Sequence, residues 1–176
     1  MAEVFLTSDT HWGHVGVCKF VMADGTKCRP WDDPEKMNED MIDLWNKTVG
    51  PKDKVYHLGD VVINRRFLSL LWRLNGDQIL IKGNHDIFRL EEYLPYYRDI
   101  RAYHYLDKYM LTHMPIHEES LGRYAGNIHG HLHNNRVMKD GKIDPRYLCV
   151  SVEHTDYKPI NFEEVKRRFK AQQEVL

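Results

Sequence analysis

The chain has 176 residues, of which 42% are hydrophobic and 29% are charged, and its formal net charge is −1. This fits one soluble domain with a sizeable core, covering residues 1–176, and gives no overall basic field of the kind that binds nucleic acid. Because no apolar signal region and no membrane-spanning run stand out, we expect a cytoplasmic protein without membrane partners.

Histidine and cysteine usage sets the next expectations. The chain contains eleven histidines, and histidine is both the commonest metal ligand and the side chain that titrates near neutral pH. The three cysteines make no even disulfide framework, and Cys149, within an apolar run, is expected to be a buried small hydrophobe.

The first predicted strand covers residues 4–7, which are apolar and β-prone. It runs into Asp9 and His11. Because these are two positions apart, an extended segment would place both side chains on one face, as a chelating pair. A polar turn capped by Asp9 is the equally weighted alternative.

Residues 15–33 are expected to form a small hairpin or excursion near this first site, around the turn sequence Asp24-Gly25. Three residues there could contact a substrate, although packing and surface roles are favoured: Lys27, Arg29 and Trp31.

Two helices and a strand are predicted next. Asp33 and Pro34 open the first helix, with an acidic N-cap and proline in the first turn, and its core stripe is Met37, Met41, Leu44, Trp45 and Val49. Residues 55–58 form the second strand, in which His57 is expected to be a hydrogen-bonded structural residue. A second helix over residues 64–75 ends at Gly76. Arg65 and Arg66 near its start could face a phosphate or be solvated.

The third strand, residues 78–82, delivers the tetrapeptide Gly83-Asn84-His85-Asp86. Later strands at residues 109–111 and 127–129 end in Thr112-His113 and Gly130-His131-Leu132-His133, and a last strand covers residues 147–152. Asn161 is expected to cap a closing helix with Glu164 in the capping-box position. Residues 90–105 receive no assignment.

Polar side chains therefore follow five predicted strands, where parallel strands would bring them to one sheet edge. Their donors are nitrogen and oxygen without thiolate, which suits Mn²⁺, Fe²⁺, Co²⁺, Ni²⁺ or Zn²⁺ better than Ca²⁺. The set is too large for one tetrahedral ion, so it predicts two ions that share a carboxylate. The members are Asp9, His11, Asp60, Asn84, His85, His113, His131 and His133.

The ordered blocks Asp-x-His, Gly-Asp, Gly-Asn-His-Asp, His and Gly-His-x-His resemble the signature of the calcineurin-like metallophosphoesterases. They span Asp9 to His133, and the chain looks most like the small single-domain bacterial and phage members. The resemblance implies an α/β fold, a four-layer α/β/β/α sandwich. It also implies two divalent ions per chain, with Mn²⁺ favoured, one held by Asp9, His11, Asp60 and His133 and the other by Asp60, Asn84, His113 and His131.

The resemblance further implies that a metal-bridging hydroxide attacks phosphorus while His85 assists the leaving group. Asp86 is expected to orient the loop or His85. Candidate substrate contacts are His14, Asn84, His117 and Arg123.

We therefore expect a dinuclear phosphoesterase acting on phosphodiesters, with monoesters as further candidates. Its substrate would be a small phosphoester, for which a nucleotide is one candidate. Two alternatives stay open: a non-catalytic protein-binding scaffold of the same fold, and a nuclease for short oligonucleotides. The completeness of the ligand set favours the enzyme. A homo-oligomer formed through the tyrosine-rich region 93–105 is also open.

Overall fold

The computed structural model describes residues 2–22 and 24–174. The ends of the predicted domain and Ala23 of the predicted turn lie outside these residues. The helices are α1 (Pro34–Thr48), α2 (Leu90–Tyr93) and α3 (Phe162–Glu174), and 3₁₀ helices cover Gly16–Cys18, Arg65–Arg73, Glu118–Leu121 and Val152–His154. The strands are β1 (Val4–Thr7), β2 (Lys54–His57), β3 (Asp77–Ile81), β4 (Asp99–Arg101), β5 (His104–Leu106), β6 (Tyr109–Leu111), β7 (Gly126–His129), β8 (Met138–Lys139), β9 (Lys142–Ile143), β10 (Tyr147–Cys149) and β11 (Ile160–Asn161).

Two mixed sheets carry the fold. The first has the order β11-β1-β2-β3-β4, in which β1 to β4 run parallel and β11 is antiparallel at the edge. The second has the order β10-β7-β6-β5, with β5 antiparallel. A parallel bridge between Ser8 and Ser151 joins the carboxyl ends of β1 and β10. The loops that follow the parallel strands of both sheets therefore open at a common edge.

Side-chain alternation along the strands of the first sheet separates two apolar clusters. Phe5, Val55 and Leu80 pack in one cluster with the buried stripe of α1, which includes Met37, Met41 and Trp45. The neighbouring residues Leu6, Tyr56 and Ile79 pack in the other cluster with Leu111, Ile128 and Leu148 of the second sheet. A helix layer and two sheet layers follow directly from these contacts.

The closing helix α3 contributes Phe162, Val165 and Phe169 to the cluster between the sheets. The Phe169 ring stacks on Tyr109 with centroids 4.6 Å apart. The mixed α/β architecture is thus as predicted, whereas the fourth layer of the predicted α/β/β/α sandwich stays a prediction.

The predicted second helix is a 3₁₀ helix, Arg65–Arg73, instead of an α-helix. Leu68, Leu71 and Leu74 recur every three residues, a spacing that suits both a 3₁₀ helix and an α-helix. All three are buried. The Asn64 side chain caps the helix by accepting from the backbone amide of Arg66.

Side-chain caps define the N-termini of the helices α1 and α3. Asp33 caps α1 by accepting from the Glu35 amide, with Pro34 in the first turn, as predicted. Asn161 caps α3 by accepting from the Glu163 amide at 2.9 Å. Glu164 forms ion pairs with two arginines of its own helix, Arg167 and Arg168, instead of the predicted capping box.

The region 90–105, which had no assignment, contains α2, β4 and most of β5. In the excursion at residues 15–33, an antiparallel bridge joins Val21 to Lys27, in agreement with the predicted hairpin. All three cysteines are free and buried. In the described part of the chain, no helix combines the length and the hydropathy needed to cross a membrane.

Candidate metal centre

Loops from both sheets are joined at the common edge by backbone hydrogen bonds. The amide of Asp9 donates to the Gly59 carbonyl at 2.9 Å, and the amide of His11 donates to the Asp60 carbonyl at 3.1 Å. Across the two sheets, the His131 amide donates to Asp9 Oδ2 at 2.9 Å. The strand ends that the sequence pattern singled out therefore lie side by side.

Six of the predicted metal ligands form two groups of three. In each group, one ligand atom from every residue lies within 4.8 Å of the others. One group is Asp9, His11 and His133, and the other is Asp60, His113 and His131.

Asp60 lies between the two groups. Its Oδ2 is 3.7 Å from His11 Nε2, and its Oδ1 is 3.4 Å from His113 Nε2. Each group thus faces one oxygen of the same carboxylate, which is the arrangement of a bridging ligand. Asn84, the seventh predicted ligand, places its Oδ1 2.8 Å from His113 Nε2 and so adjoins the second group.

Unsatisfied polar atoms show that this cluster fits cations. Asp9 is fully buried, and its Oδ1 has no hydrogen-bond partner in the described structure; the same holds for both ring nitrogens of His11. Burying such groups without a partner is costly, so buried polar atoms are normally satisfied by hydrogen bonds or by metal ions. The combination of carboxylate oxygens and imidazole nitrogens suits a divalent transition metal.

Neighbouring acceptors fix the tautomers of two ligand histidines. Nδ1 of His113 lies 2.7 Å from the Leu58 carbonyl oxygen, and Nδ1 of His133 lies 3.0 Å from Glu153 Oε1. Because a carbonyl and a carboxylate only accept, each Nδ1 carries the proton. In the neutral ring, Nε2 then carries the lone pair toward the cluster, as a metal ligand requires.

The cluster also shifts the pKa values of its members. Burial raises the pKa of Asp9, and the charges of His113 and His133 oppose that shift only in part. Burial would likewise raise the pKa of Asp60, but the hydrogen bond and the charge of His113 outweigh it and lower the pKa to about 2. Burial, followed by the nearby Arg29 charge, lowers the pKa of His11 well below its usual value. Asp60 and His11 are therefore already in the ionisation states that bind a cation.

Backbone conformation adds a cost to the site. Five of the seven predicted ligands have φ between 49° and 67°, in the left-handed region that most residues with a side chain avoid. Each such residue costs about 1 kcal/mol or more, although Asp and His tolerate this region better than most residues. The five are Asp9, His11, Asp60, His131 and His133.

Two glycines of the motifs leave room for the ligands. A Cβ at Gly130 would lie 1.9 Å from Ser8 Oγ and 2.4 Å from Asp9 Oδ2. A Cβ at Gly83 would lie 2.3 Å from Asp60 Oδ1. Since these are backbone positions next to packed ligand atoms, glycine is required there for the approach of the carboxylates.

The buried motif residues Asp86 and His57 position the loops. Asp86 Oδ2 accepts from the amides of Asp60 and Gly83, its Oδ1 accepts from the Val61 amide, and its side chain is completely buried. Asp86 therefore holds two loops together instead of touching a substrate. His57 is hydrogen-bonded to Thr10 Oγ1 at 3.0 Å and is also completely buried, as predicted for a structural histidine.

Two exposed or half-buried histidines border the cluster. The ring centroids of His85 and His14 lie 5.8 and 5.7 Å from that of His11. The His85 backbone amide donates to Asp60 Oδ1 at 2.8 Å, which ties the position of His85 to the shared carboxylate. Burial, followed by the charge of His85, lowers the pKa of His14, whose Nδ1 accepts from the Gly16 amide.

The structure does not bring the other predicted substrate contacts to this cluster. His117 is exposed, and its Nδ1 accepts from the Glu119 amide. The exposed Arg123 lies over the ring of Tyr124, 5.9 Å from its centroid. Arg65 pairs with Glu92, and Arg66 lies over the Phe67 ring. Within residues 2–22 and 24–174, none of these four side chains forms a hydrogen bond or an ion pair with the two ligand groups.

Sequence reasoning missed a buried ion pair behind the ligands. Glu153 Oε1 accepts from His133 and lies 2.7 Å from a guanidinium nitrogen of Arg29, and both charged side chains are fully buried. Arg29 also donates to the carbonyls of Asp9 and Thr10. The sequence predicts for Arg29 only a substrate contact or a role in packing or at the surface. No motif spacing points to Glu153, which lies 124 positions further along the chain.

Cys28, His133 and Glu153 form a third group of metal-ligand type, but its electrostatics do not suit a further cation. The positive guanidinium of Arg29 already neutralises Glu153. Burial and the Glu153 charge raise the pKa of the Cys28 thiol to about 11, so a metal would have to displace a firmly held proton there.

Comparison with known proteins agrees with the presence of a metal centre at this edge. A family model described as calcineurin-like phosphoesterase matches residues 2–167. An uncharacterised protein of Methanocaldococcus jannaschii is 35% identical over 173 residues, covering 93% of this chain and 89% of that protein. The gene 66 protein of Mycobacterium phage D29 is 27% identical over 192 residues, covering 87% and 89%. The crystal structure of a protein of unknown function from Aquifex aeolicus superposes with a TM-score of 0.70 at 26% identity, covering 95% and 99% of the two chains.

Proposed function

Because the chain belongs to the calcineurin-like phosphoesterase family, we propose that it hydrolyses phosphodiesters with the help of two divalent metal ions. The observation that carries the proposal is the position of Asp60, whose two oxygens face two separate groups of ligand residues. A bridging carboxylate between two such groups is what a dinuclear hydrolase requires.

In this proposal one ion is held by Asp9, His11, His133 and Asp60, and the other is held by Asp60, Asn84, His113 and His131. Bound there, the ions supply Lewis acidity toward the phosphoryl oxygens and an activated water at neutral pH. Mn²⁺ is the favoured metal, and Fe²⁺, Co²⁺, Ni²⁺ and Zn²⁺ are compatible with the same donors.

The side chains of His85 and His14 act on the substrate. His85 is exposed beside the cluster, and the bond from its amide to Asp60 fixes its place relative to the reacting phosphorus. From there its ring gives a proton to the oxygen of the leaving group, a role that suits histidine near neutral pH. His14, on the other side of His11, contacts a phosphoryl oxygen.

An open site supports diesters over monoesters. Asn84 and His85 are both exposed, so a phosphate with two organic groups can reach the cluster without being enclosed. We place the reaction in the cytoplasm, which the three free and buried cysteines support because reducing compartments keep thiols unpaired.

The test is hydrolysis of bis-p-nitrophenyl phosphate and of p-nitrophenyl phosphate by metal-stripped protein titrated with Mn²⁺. We expect Mn²⁺ to restore hydrolysis, with the diester preferred. His85→Ala should lower kcat while bound metal stays constant, and the larger loss, about 10²-fold or more, is expected for a diester with an alkoxide leaving group, which needs a proton more than p-nitrophenolate does. His117→Ala, which removes an exposed histidine whose Nδ1 accepts from the Glu119 amide, is the matched control and should keep wild-type kcat.

If Mn²⁺, Ni²⁺ and Zn²⁺ all fail to restore hydrolysis of either ester, the enzymatic proposal is wrong. The scaffold alternative would then be examined next. An equal loss of kcat in His85→Ala and His117→Ala would instead contradict the role of His85.

A further inference from the structure

A cavity of about 700 Å³ opens directly beside the candidate metal centre. Its floor includes His131 and His133, so any molecule in the cavity lies next to the ligand groups. The other lining residues come from the loop after β7 and from the excursion at residues 15–33. The outer face of this excursion carries exposed side chains, and the candidate metal centre makes no use of them.

The excursion contributes three large apolar side chains to the lining. It presents Phe20, Val21 and Met22, and Phe20 and Val21 are 47% and 65% exposed. The Phe20 ring centroid lies 6.3 Å from the ring centroids of both His14 and His133. An exposed phenyl ring at the rim of a polar site offers a face on which a flat aromatic group can stack.

Backbone contacts hold this segment in place. The Cys28 amide donates to the Phe20 carbonyl at 2.8 Å, and the Met22 amide donates to the Thr26 carbonyl at 2.7 Å. The following residue, Arg29, is completely buried behind the metal ligands. Phe20 is therefore attached to the site through a bridged segment and not through a free loop.

The loop after β7 contributes polar side chains to the lining of the cavity. They include Asn134 and Asn135, and the amide nitrogen of Asn134 donates to Cys28 Sγ at 3.1 Å. Among the described residues that line the cavity there is no lysine and no arginine, whereas Asp24 of the excursion adds a carboxylate. A second phosphate would find no lysine or arginine to pair with here. An uncharged aromatic ring with hydrogen-bonding edges fits, since an asparagine amide both donates and accepts.

We propose that this cavity is the subsite for the nucleobase of a nucleotide-containing phosphodiester, with the base stacked on Phe20. The inference rests on the proposed phosphodiesterase function and names its substrate class. The phosphorus lies at the metal ligands, the base lies between Phe20 and the asparagines, and the leaving group lies on the side of His85.

The test compares two esters that share the p-nitrophenolate leaving group and differ in the other ester group. They are the p-nitrophenyl ester of thymidine 5′-monophosphate and methyl p-nitrophenyl phosphate. We expect kcat/KM for the nucleotide ester to exceed that for the methyl ester by about tenfold or more, because stacking of one base contributes that much.

Phe20→Ala should lower this ratio of kcat/KM values by about tenfold, mainly through KM of the nucleotide ester. Phe20→Trp, which keeps a stacking face, should retain the ratio. The control is Trp72→Ala, because Trp72 is 66% exposed and does not line the cavity; it should leave the ratio at the wild-type value.

Two outcomes separate the inference from the function on which it rests. Metal-dependent hydrolysis of both esters with equal kcat/KM, or an unchanged ratio in Phe20→Ala, would overturn the nucleobase subsite and leave the phosphodiesterase proposal intact. If neither ester were hydrolysed with Mn²⁺, Ni²⁺ or Zn²⁺, the proposed function would fail and the subsite would fail with it.

Discussion

At the scale of single residues, Asp60 shares burial and a positive φ with Asp9, and it differs in that its two oxygens face different ligand groups. It is almost fully buried, and its φ is 56°. A carboxylate can serve two cations because it carries a negative charge and two oxygens, whereas an amide is neutral and has one oxygen. The charge of Asp60 is therefore the property to test.

We predict that Asp60→Asn lowers bound Mn²⁺ from two ions to one or none per chain, measured by elemental analysis after gel filtration. Asparagine tolerates the left-handed region as well as aspartate does, so the backbone cost is unchanged and only the charge is lost. Asp107→Asn is the control, because Asp107 has a similar φ of 54° but is not part of either ligand group. Retention of two ions by Asp60→Asn would show that Asp60 does not bridge.

Which site residues could be predicted from the sequence depends on their distance in sequence from a motif. The ligand candidates are recognisable because glycine, aspartate and histidine recur at fixed offsets after apolar strands. Glu153 has no such offset, and its place behind His133 depends on how β10 and the segment after it pack. The burial of Arg29 could not be predicted from the sequence either, because a lone arginine in a polar turn region is normally solvated.

At the scale of secondary-structure elements, a segment was predictable where it had either a clear period or an apolar run. The stripe and caps of α1 specified it well, and the apolar runs specified β1, β2, β3 and β6. The elements α2, β4 and β5 are short and rich in polar residues, so they show neither a period nor an apolar run. The 3₁₀ helix Arg65–Arg73 was mistaken for an α-helix because both periods bury leucines at nearly the same positions.

The ion pair of Arg29 and Glu153 links two such poorly predictable elements, the excursion at residues 15–33 and the 3₁₀ helix Val152–His154. We predict that Arg29→Met lowers the free energy of unfolding of metal-free protein by about 3–5 kcal/mol, since it leaves the buried Glu153 carboxylate without its partner. The measurement is urea denaturation followed by circular dichroism.

The matched control for Arg29→Met is Arg73→Met, which removes a bidentate ion pair to Glu39 on the surface. Those side chains are 45% and 58% exposed, so the loss should be about 1 kcal/mol or less. If Arg29→Met and Arg73→Met lower the free energy of unfolding by the same amount, the buried pair of Arg29 and Glu153 does not stabilise the fold more than a surface pair does.

At the scale of the whole molecule, the candidate metal centre joins the two sheets. Asp9, Asp60 and Asn84 follow strands of the first sheet, whereas His113, His131 and His133 follow strands of the second. Hydrogen bonds at this edge also connect them, such as that from Ser151 Oγ to Asp9 Oδ2 at 2.8 Å. An ion that binds ligands from both sheets binds the folded state alone and so stabilises the entire domain.

Metal binding should therefore raise the melting temperature, and by more at about pH 8 than at about pH 6. Burial alone would lower the pKa of His113 and His133, but hydrogen bonds to Asp60 and Glu153 outweigh it and raise both pKa values. At about pH 6 both rings are protonated in the metal-free fold, which stabilises that fold; this contribution disappears as pH rises through the raised pKa values. A binding ion must displace these protons, so the stability that the folded protein gains from the ion is smaller at the lower pH.

At an ion concentration one-hundredfold above Kd, the gain near pH 8 is about 2.7 kcal/mol, which corresponds to roughly 5–10 °C for a chain of this size. Differential scanning fluorimetry of metal-stripped protein, with and without Mn²⁺, measures it at both pH values. Asp60→Asn serves as the control and should show little gain at either pH, because it has lost the shared carboxylate. An equal gain at the two pH values in the wild-type protein would show that His113 and His133 do not release protons to the ion, and would contradict the raised pKa values of these rings.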